Sequence, residues 1–181
     1  MPKIMKKGWV IWFTGLHGAG KSTIANKLTD MLRKKGIPII LFDGDDIRKT
    51  LSSDLGYSLG DRNKHMKRVA DLCKIISDNR IMSISCVASP TETSREYARK
   101  AIKKFFLVYV KCPLEVCEKR DAKGHYKKAK NKEEGFENFV GVSLEFEEPK
   151  NPDIIVNADK ESVDESVNKI MNKLVKERVI A

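Results

Sequence analysis

The run Gly15-Leu16-His17-Gly18-Ala19-Gly20-Lys21-Ser22 constrains this chain more than any other stretch, because it fits G-x-x-x-x-G-K-[ST] without a mismatch. The apolar run Trp9-Val10-Ile11-Trp12-Phe13 leads into it, and a helical pattern over 23–35 leads out. Strand, glycine-rich loop and helix in that order make a phosphate site. Glycines let backbone N–H groups curl around the phosphates, and the helix N-terminus adds its positive end. Lys21 is expected to reach the β- and γ-phosphates, and the Ser22 hydroxyl to hold Mg²⁺. Residues 15 to 23, with Thr23 closing the loop, form the expected nucleoside triphosphate site. His17 occupies a variable position of the pattern and is given no catalytic role.

Further apolar runs with strand character recur at 9–14, 37–42, 81–87, 105–110 and 153–156, and amphipathic patterns lie between most of them. Ile24, Leu28, Met31 and Leu32 share one face, as do Met66, Val69, Ala70, Cys73 and Ile76. A last helix carries Val163, Val167, Ile170, Met171, Leu174 and Val175 on one stripe, with Asp159 as its candidate N-cap. Near-continuous apolar strands alternating with such helices predict an α/β fold: a doubly wound, three-layer sheet of about five parallel strands with helices on both faces. In such sheets ligands bind beyond the carboxyl ends of the strands. Gly15, Asp43-Gly44-Asp45, Ser89-Pro90 and Lys111-Cys112 lie at those ends, so the chemically interesting residues are expected along one edge.

At 181 residues the chain is one domain in size, with no repeat or linker. A net charge of +10, from 35 Lys and Arg against 25 Asp and Glu, suits anionic ligands. Nucleic acid is not expected as the partner: the lysines are scattered, and no recognition motif is present. No run approaches the ~20 apolar residues of a membrane span. The basic and apolar start superficially resembles a signal peptide, but it runs straight into the phosphate loop with no small-residue cleavage site. The four cysteines (Cys73, Cys86, Cys112, Cys117) form no C-x-x-C pair and read as buried free thiols, so a cytoplasmic location is expected.

Asp43-Gly44-Asp45-Asp46-Ile47-Arg48 follows the second strand. A carboxylate there can align or deprotonate an attacking hydroxyl, or contact Mg²⁺ through water; ordinary turn chemistry explains one aspartate but not three. Arg48, Arg62 and Arg68 are candidates to fork onto phosphate or sulfate oxygens, with plain surface solvation as the alternative, especially for Arg68. Tyr57 and Phe139 lie in glycine-containing loops, where an aromatic either clamps a base or anchors the loop to the core. Arg120, before Asp121, either stabilises charge on the transferred phosphoryl group or pairs with Asp121. A lysine-rich stretch over 121–147 reads as a mobile basic lid or as a solvated surface.

Taken together, GLHGAGKST at 15–23, FDGDDIR at 42–48, DLGYSLGDR at 54–62, ASP at 88–90, PLEVCEKRDAKGHYKKA at 113–129, FVGV at 139–142 and EPKNPDIIV at 148–156 resemble the adenylylsulfate (APS) kinase family. The resemblance implies a P-loop kinase that transfers the γ-phosphoryl group of ATP to the 3′-hydroxyl of APS in sulfate activation. It implies that Lys21 and Ser22 hold ATP·Mg²⁺, that Asp45 activates the hydroxyl, and that Arg48 and Arg62 meet the phosphosulfate. Tyr57 and Phe139 then sandwich the adenine, Ser89 before Pro90 matches a serine often designated a phosphoserine intermediate, and Lys127 and Lys128 match the lid's basic pair. Leftover apolar stripes on the helices point to a homodimer, common in that family.

Departures from the family pattern fall on the acceptor side. Glu92 stands where the family usually has arginine, His65 where it has asparagine, and Ser143 and Glu145 replace Asp and Pro. A Glu92 facing the sulfate would repel it, and Glu92→Arg would then improve use of APS; unchanged kinetics would show that Glu92 points away from the acceptor. A changed acceptor, such as a cytidine diphosphate conjugate of surface-polysaccharide modification, is the alternative reading. A nucleotide-binding regulatory or nucleic-acid-associated protein is a third, supported only by net charge.

Overall fold

The computed structural model describes residues 8–180. Five strands, β1 (Val10–Thr14), β2 (Ile39–Asp43), β3 (Met82–Cys86), β4 (Phe105–Lys111) and β5 (Ile154–Asn157), form one parallel sheet in the order β2-β3-β1-β4-β5. All five predicted runs are strands, displaced by a residue or two at their ends. Their apolar continuity has a plain cause, since both faces of the inner strands are covered. Val10 and Trp12 of β1 point to one face, Ile11 and Phe13 to the other, and all four are fully buried.

Helices α1 (Lys21–Lys34) and α7 (Val163–Lys176) cover the Ile11–Phe13 face, joined by Leu28, Leu32, Ile170 and Leu174. Helices α3 (Leu59–Asp78) and α4 (Glu92–Ala101) cover the Trp12 face through Val69, Ala70, Cys73 and Ala98. Short helices α2 (Gly44–Thr50), α5 (Leu114–Lys119) and α6 (His125–Lys130) lie beyond the carboxyl ends of the strands that precede them. The three-layer architecture is therefore as expected. The cysteines are free and buried, and burial pushes the Cys73 and Cys86 thiols up to about 12.

Two details of α7 differ from expectation. Its N-cap is Ser162, not Asp159: Ser162 Oγ accepts from the Glu165 N–H at 3.2 Å, and Glu165 Oε2 accepts from the Ser162 N–H at 2.7 Å. Asp159 instead sits in a turn in which the Lys160 and Glu161 N–H groups donate to the Asn157 carbonyl, so the helix starts later. Ser162→Ala is expected to cost about 1 kcal/mol, the usual worth of such a cap, read as a lower chemical-denaturation midpoint at unchanged slope. Val175 is 48% exposed because the stripe passes through Leu174 and the next residue turns 100° away from it.

Candidate functional site

β1 is flanked by β3 on one side and β4 on the other, so the chain leaves these strand ends in opposite directions and opens a crevice there. The loop after β1 can make its turn only with glycine. Gly15 has φ 147°, and a Cβ on it would lie 2.5 Å from the Val110 carbonyl oxygen; Gly18 has φ 75° and would meet the Cys117 carbonyl oxygen at 2.9 Å. The phosphate loop is thereby pressed against β4 and α5. Lys21 Nζ donates to the carbonyls of Gly15 and Leu16 at 2.9 and 2.7 Å, and burial lowers its pKa.

Asp43, the last residue of β2, joins this loop to the next. Its Oδ2 accepts from Ser22 Oγ at 3.1 Å and its Oδ1 from the Asp45 N–H at 2.9 Å, which caps α2. In the sequence Asp43 is only one of three aspartates after the second apolar run; its position directly behind that run is the available signal. A hydroxyl and a carboxylate this close suit Mg²⁺, which takes one or two protein oxygens and completes its shell with phosphate and water. Among the described residues, no group of three or more His, Cys, Asp or Glu side chains is placed to hold a metal. A divalent ion at Ser22 and Asp43 would draw its other ligands from a nucleotide.

A cavity of about 830 Å³ runs along this edge, within the ~300–1,000 Å³ of small-molecule sites. Its wall brings together His17, Gly18, Ala19, Gly20, Lys21, Ser22 and Thr23 with Asp43, Asp45 and Arg48, with Tyr57, Arg62, His65, Ser89 and Pro90, and with Arg120, Lys123 and Ser162. Gly15, Leu16, Lys127 and Phe139 are not on it. Leu16 faces a second cavity behind the loop, and Phe139 belongs to an aromatic cluster with His17, His125, Tyr126 and Phe136.

Arg48 and Arg62 both lie over the Tyr57 ring, at 4.8 and 5.4 Å from its centroid. Arg48 donates to the Gly56 carbonyl and Arg62 to those of Tyr57 and Asn138. Burial, then repulsion from Arg48, lowers the Arg62 guanidinium to about 10, so the pair presents concentrated positive charge to any anion in the cavity. Arg68 is not on this wall: it makes a bidentate ion pair with Asp54 at 2.5 and 2.8 Å.

His65 is buried, with Nδ1 2.9 Å from Ser52 Oγ and a second hydrogen bond to the Gly44 backbone. Burial, then Arg48, pushes its pKa down to about 4. Because the unfolded chain takes a proton near 6.5 and the folded one does not, stability is full above that pH and declines as pH falls toward 4. The expected loss is roughly 3 kcal/mol. Melting temperatures should drop over that window, and His65→Asn should flatten the profile; a parallel profile would remove the assignment.

Glu92 does not face the cavity. Its carboxylate accepts from Arg95 Nε and Nη2 at 3.0 and 2.7 Å, which corrects the expected repulsion of an acceptor. Glu92→Arg would set two guanidiniums together inside the protein. The expected result is destabilisation by about 3–5 kcal/mol rather than better use of an anion. Arg120 is likewise not paired with Asp121: it donates to the Ala158 carbonyl, while the Asp121 carboxylate accepts from the His125 and Tyr126 N–H groups at the start of α6. The lysine-rich stretch is anchored at that point, since Tyr126 and Ala129 are buried and the Tyr126 hydroxyl donates to the His17 carbonyl at 2.8 Å.

A parallel five-stranded sheet with a glycine-rich loop feeding α1, and an Asp-Gly-Asp turn beside it on the wall of a nucleotide-sized cavity, defines a P-loop kinase. The family model of adenylylsulphate kinase matches residues 7–157. The adenylyl-sulfate kinase of Clostridium kluyveri is 46% identical over 170 residues, covering 93% of this chain and 84% of that protein. A probable adenylyl-sulfate kinase of Bacillus subtilis is 41% identical, covering 96% and 87%. The structure of the Mycobacterium tuberculosis APS kinase CysC in complex with AMPPNP and APS superposes with a TM-score of 0.88 at 35% identity, over 94% of this chain and 99% of that one. Shikimate kinase from Aquifex aeolicus shares the fold alone, with a TM-score of 0.56 at 19% identity. This chain belongs to the adenylylsulphate kinase family, enzymes that transfer a phosphoryl group to a hydroxyl.

Proposed function

We propose that this protein transfers the γ-phosphoryl group of ATP to the 3′-hydroxyl of APS, giving 3′-phospho-APS and ADP. One observation carries the reading beyond family membership. A single continuous cavity wall holds the phosphate loop, the Asp43–Asp45 turn and the paired arginines Arg48 and Arg62, so donor phosphates and an anionic acceptor can meet over Asp45. Lys21 and the loop N–H groups hold the β- and γ-phosphates. Ser22 and Asp43 would hold Mg²⁺, which when bound would neutralise phosphate charge. Asp45 orients the acceptor hydroxyl and takes its proton, and Arg48 and Arg62 grip the phosphosulfate.

Tyr57 offers its ring to the acceptor base. Phe139 stands off the wall, so its contact with that base requires the 135–144 segment to move toward Tyr57. Arg120 lies at the donor end, and Lys127 and Lys128 belong to the segment that would close over the phosphates. Ser89 is a wall residue: it has no exposed surface, and its hydroxyl accepts from Trp12 Nε1 at 3.2 Å, an arrangement that supports positioning rather than a covalent role. Glu92, which motivated a different acceptor, is accounted for by Arg95. No helix among the described residues is long and apolar enough to cross a membrane; a cytoplasmic homodimer is the assembly proposed.

The test is ADP release with Mg·ATP and either APS or cytidine and adenosine diphosphate conjugates, with mass identification of the product. Efficient formation of the 3′-phosphate of APS is expected. Turnover confined to another conjugate would overturn the acceptor assignment and leave the donor chemistry intact.

A further inference from the structure

Arg95, on the first turns of α4, is only 2% exposed. Its guanidinium bonds Glu92 on its own helix, the loop after β3, and the strap formed by residues 145–148 beside that loop. Nη1 donates to the Ser89 carbonyl at 2.6 Å, Nη2 to the Glu147 carbonyl at 2.6 Å, and Nε and Nη2 to the Glu92 carboxylate. The strap answers in kind. Glu147 Oε2 accepts from the Glu92 N–H at 2.7 Å, and the Glu147 N–H donates to the Pro90 carbonyl at 2.9 Å. The guanidinium also lies 5.7 Å from the Phe146 ring centroid.

At the centre of these bonds is a residue in an unfavourable conformation. Ser89 has φ 42°, in the left-handed region, without being glycine. Non-glycine residues in that region are strained and persist only where their surroundings over-determine them. Ser89 is held on each side: its carbonyl by Arg95 and, at 3.4 Å, by Thr14 Oγ1, and its hydroxyl by Trp12 Nε1. Ser89 and Pro90 then form part of the cavity wall, whereas Arg95 and Glu92 do not reach it. Stability alone is a poor reason for a buried ion pair, because apolar residues of like volume commonly do as well.

We propose that Arg95, with Glu92 as its counterion, is a positioning residue that sets the acceptor side of the site by holding Ser89 and Pro90 in their strained geometry. It acts through the Ser89 carbonyl and touches no substrate. The proposal rests on the acceptor lying against the Asp45 and Ser89 wall, as assigned above. It explains why glutamate is tolerated at position 92: the side chain faces the guanidinium, not the acceptor.

The test compares the parent with Arg95→Lys, which keeps the charge but loses the fork, and Glu92→Gln, the milder change should the first fail to fold. Two quantities are read: KM for APS and for ATP at a temperature where each variant is folded, and the ¹H–¹⁵N resonance of the Trp12 indole, which reports its bond to Ser89. The KM for APS is expected to rise about tenfold, the scale of a small misplacement of reacting groups, while that for ATP stays within about twofold and the indole resonance moves. A folded variant with equal changes in both KM values, or with the Trp12 resonance unmoved, overturns the proposal. Should the parent itself not use APS, the acceptor reading fails instead; the indole resonance then decides alone, moving if Arg95 sets this wall and staying in place if it does not.

Discussion

Lys21→Ala is expected to lower kcat by about 10²–10³-fold, the usual consequence of removing one pre-organised charge from a developing transition state. Phosphoryl transfer leaves the protein little covalent chemistry to do, so charge stabilisation is most of its contribution. The Lys21 amine stands inside the loop, held by the Gly15 and Leu16 carbonyls, which fixes it at the floor of the cavity. Alanine removes the charge while leaving Gly15 and Gly18 to shape the loop, so the fold should be little affected. Lys21→Arg should not restore the rate, because a planar fork does not fit where a compact ammonium bonds two carbonyls. Rapid-quench single turnovers at saturating Mg·ATP are the measurement; a rate within a few-fold of the parent would mean that another cation neutralises the phosphoryl group.

Asp45→Asn is the second large effect, and it separates donor from acceptor. A positioned general base contributes about 10²–10⁴-fold. The Asp45 side chain projects from the first turn of α2, whose start is secured by the bond from its N–H to Asp43 Oδ1 rather than by its own carboxylate. Asparagine should therefore keep the turn and spare ATP binding, with KM for ATP within about twofold while kcat falls by at least ~100-fold. Unaltered kcat would show that the hydroxyl is deprotonated elsewhere. Asp43→Asn should behave differently, weakening Mg²⁺-dependent ATP binding, because that carboxylate bonds Ser22.

Much of this was open to a reader of the residues. The strands were legible because parallel strands buried on both faces are mostly apolar along their length, with the buried Ser83 and Ser85 of β3 as the exception, and the phosphate loop because its glycines answer to backbone geometry. Ser162-x-x-Glu165 was a readable capping box that Asp159, closer to the strand, obscured. Glu92 shows the opposite case. Its spacing of three from Arg95 was on the page, but the direction in which that pair faces depends on how α4 lies on the sheet, and the charge alone suggested the wrong neighbour. Phe139 packs against His17 and Tyr126 in this structure, a placement the residues do not reveal because packing among loops has no sequence period.

The amino-acid sequence by itself determined the local chemistry: a loop that only glycines can turn, carboxylates at a strand end, apolar runs that demand a covered sheet. Each follows from sterics or burial acting over a few neighbouring residues. Only the tertiary structure decided which of these groups share one cavity. The order β2-β3-β1-β4-β5 sets the ends of β1, β2 and β3 side by side, so Lys21, Asp45 and Ser89 face one space although some seventy residues separate the first from the last. The same packing turned Glu92 inward onto Arg95, because a charge excluded from water is stable only beside its opposite.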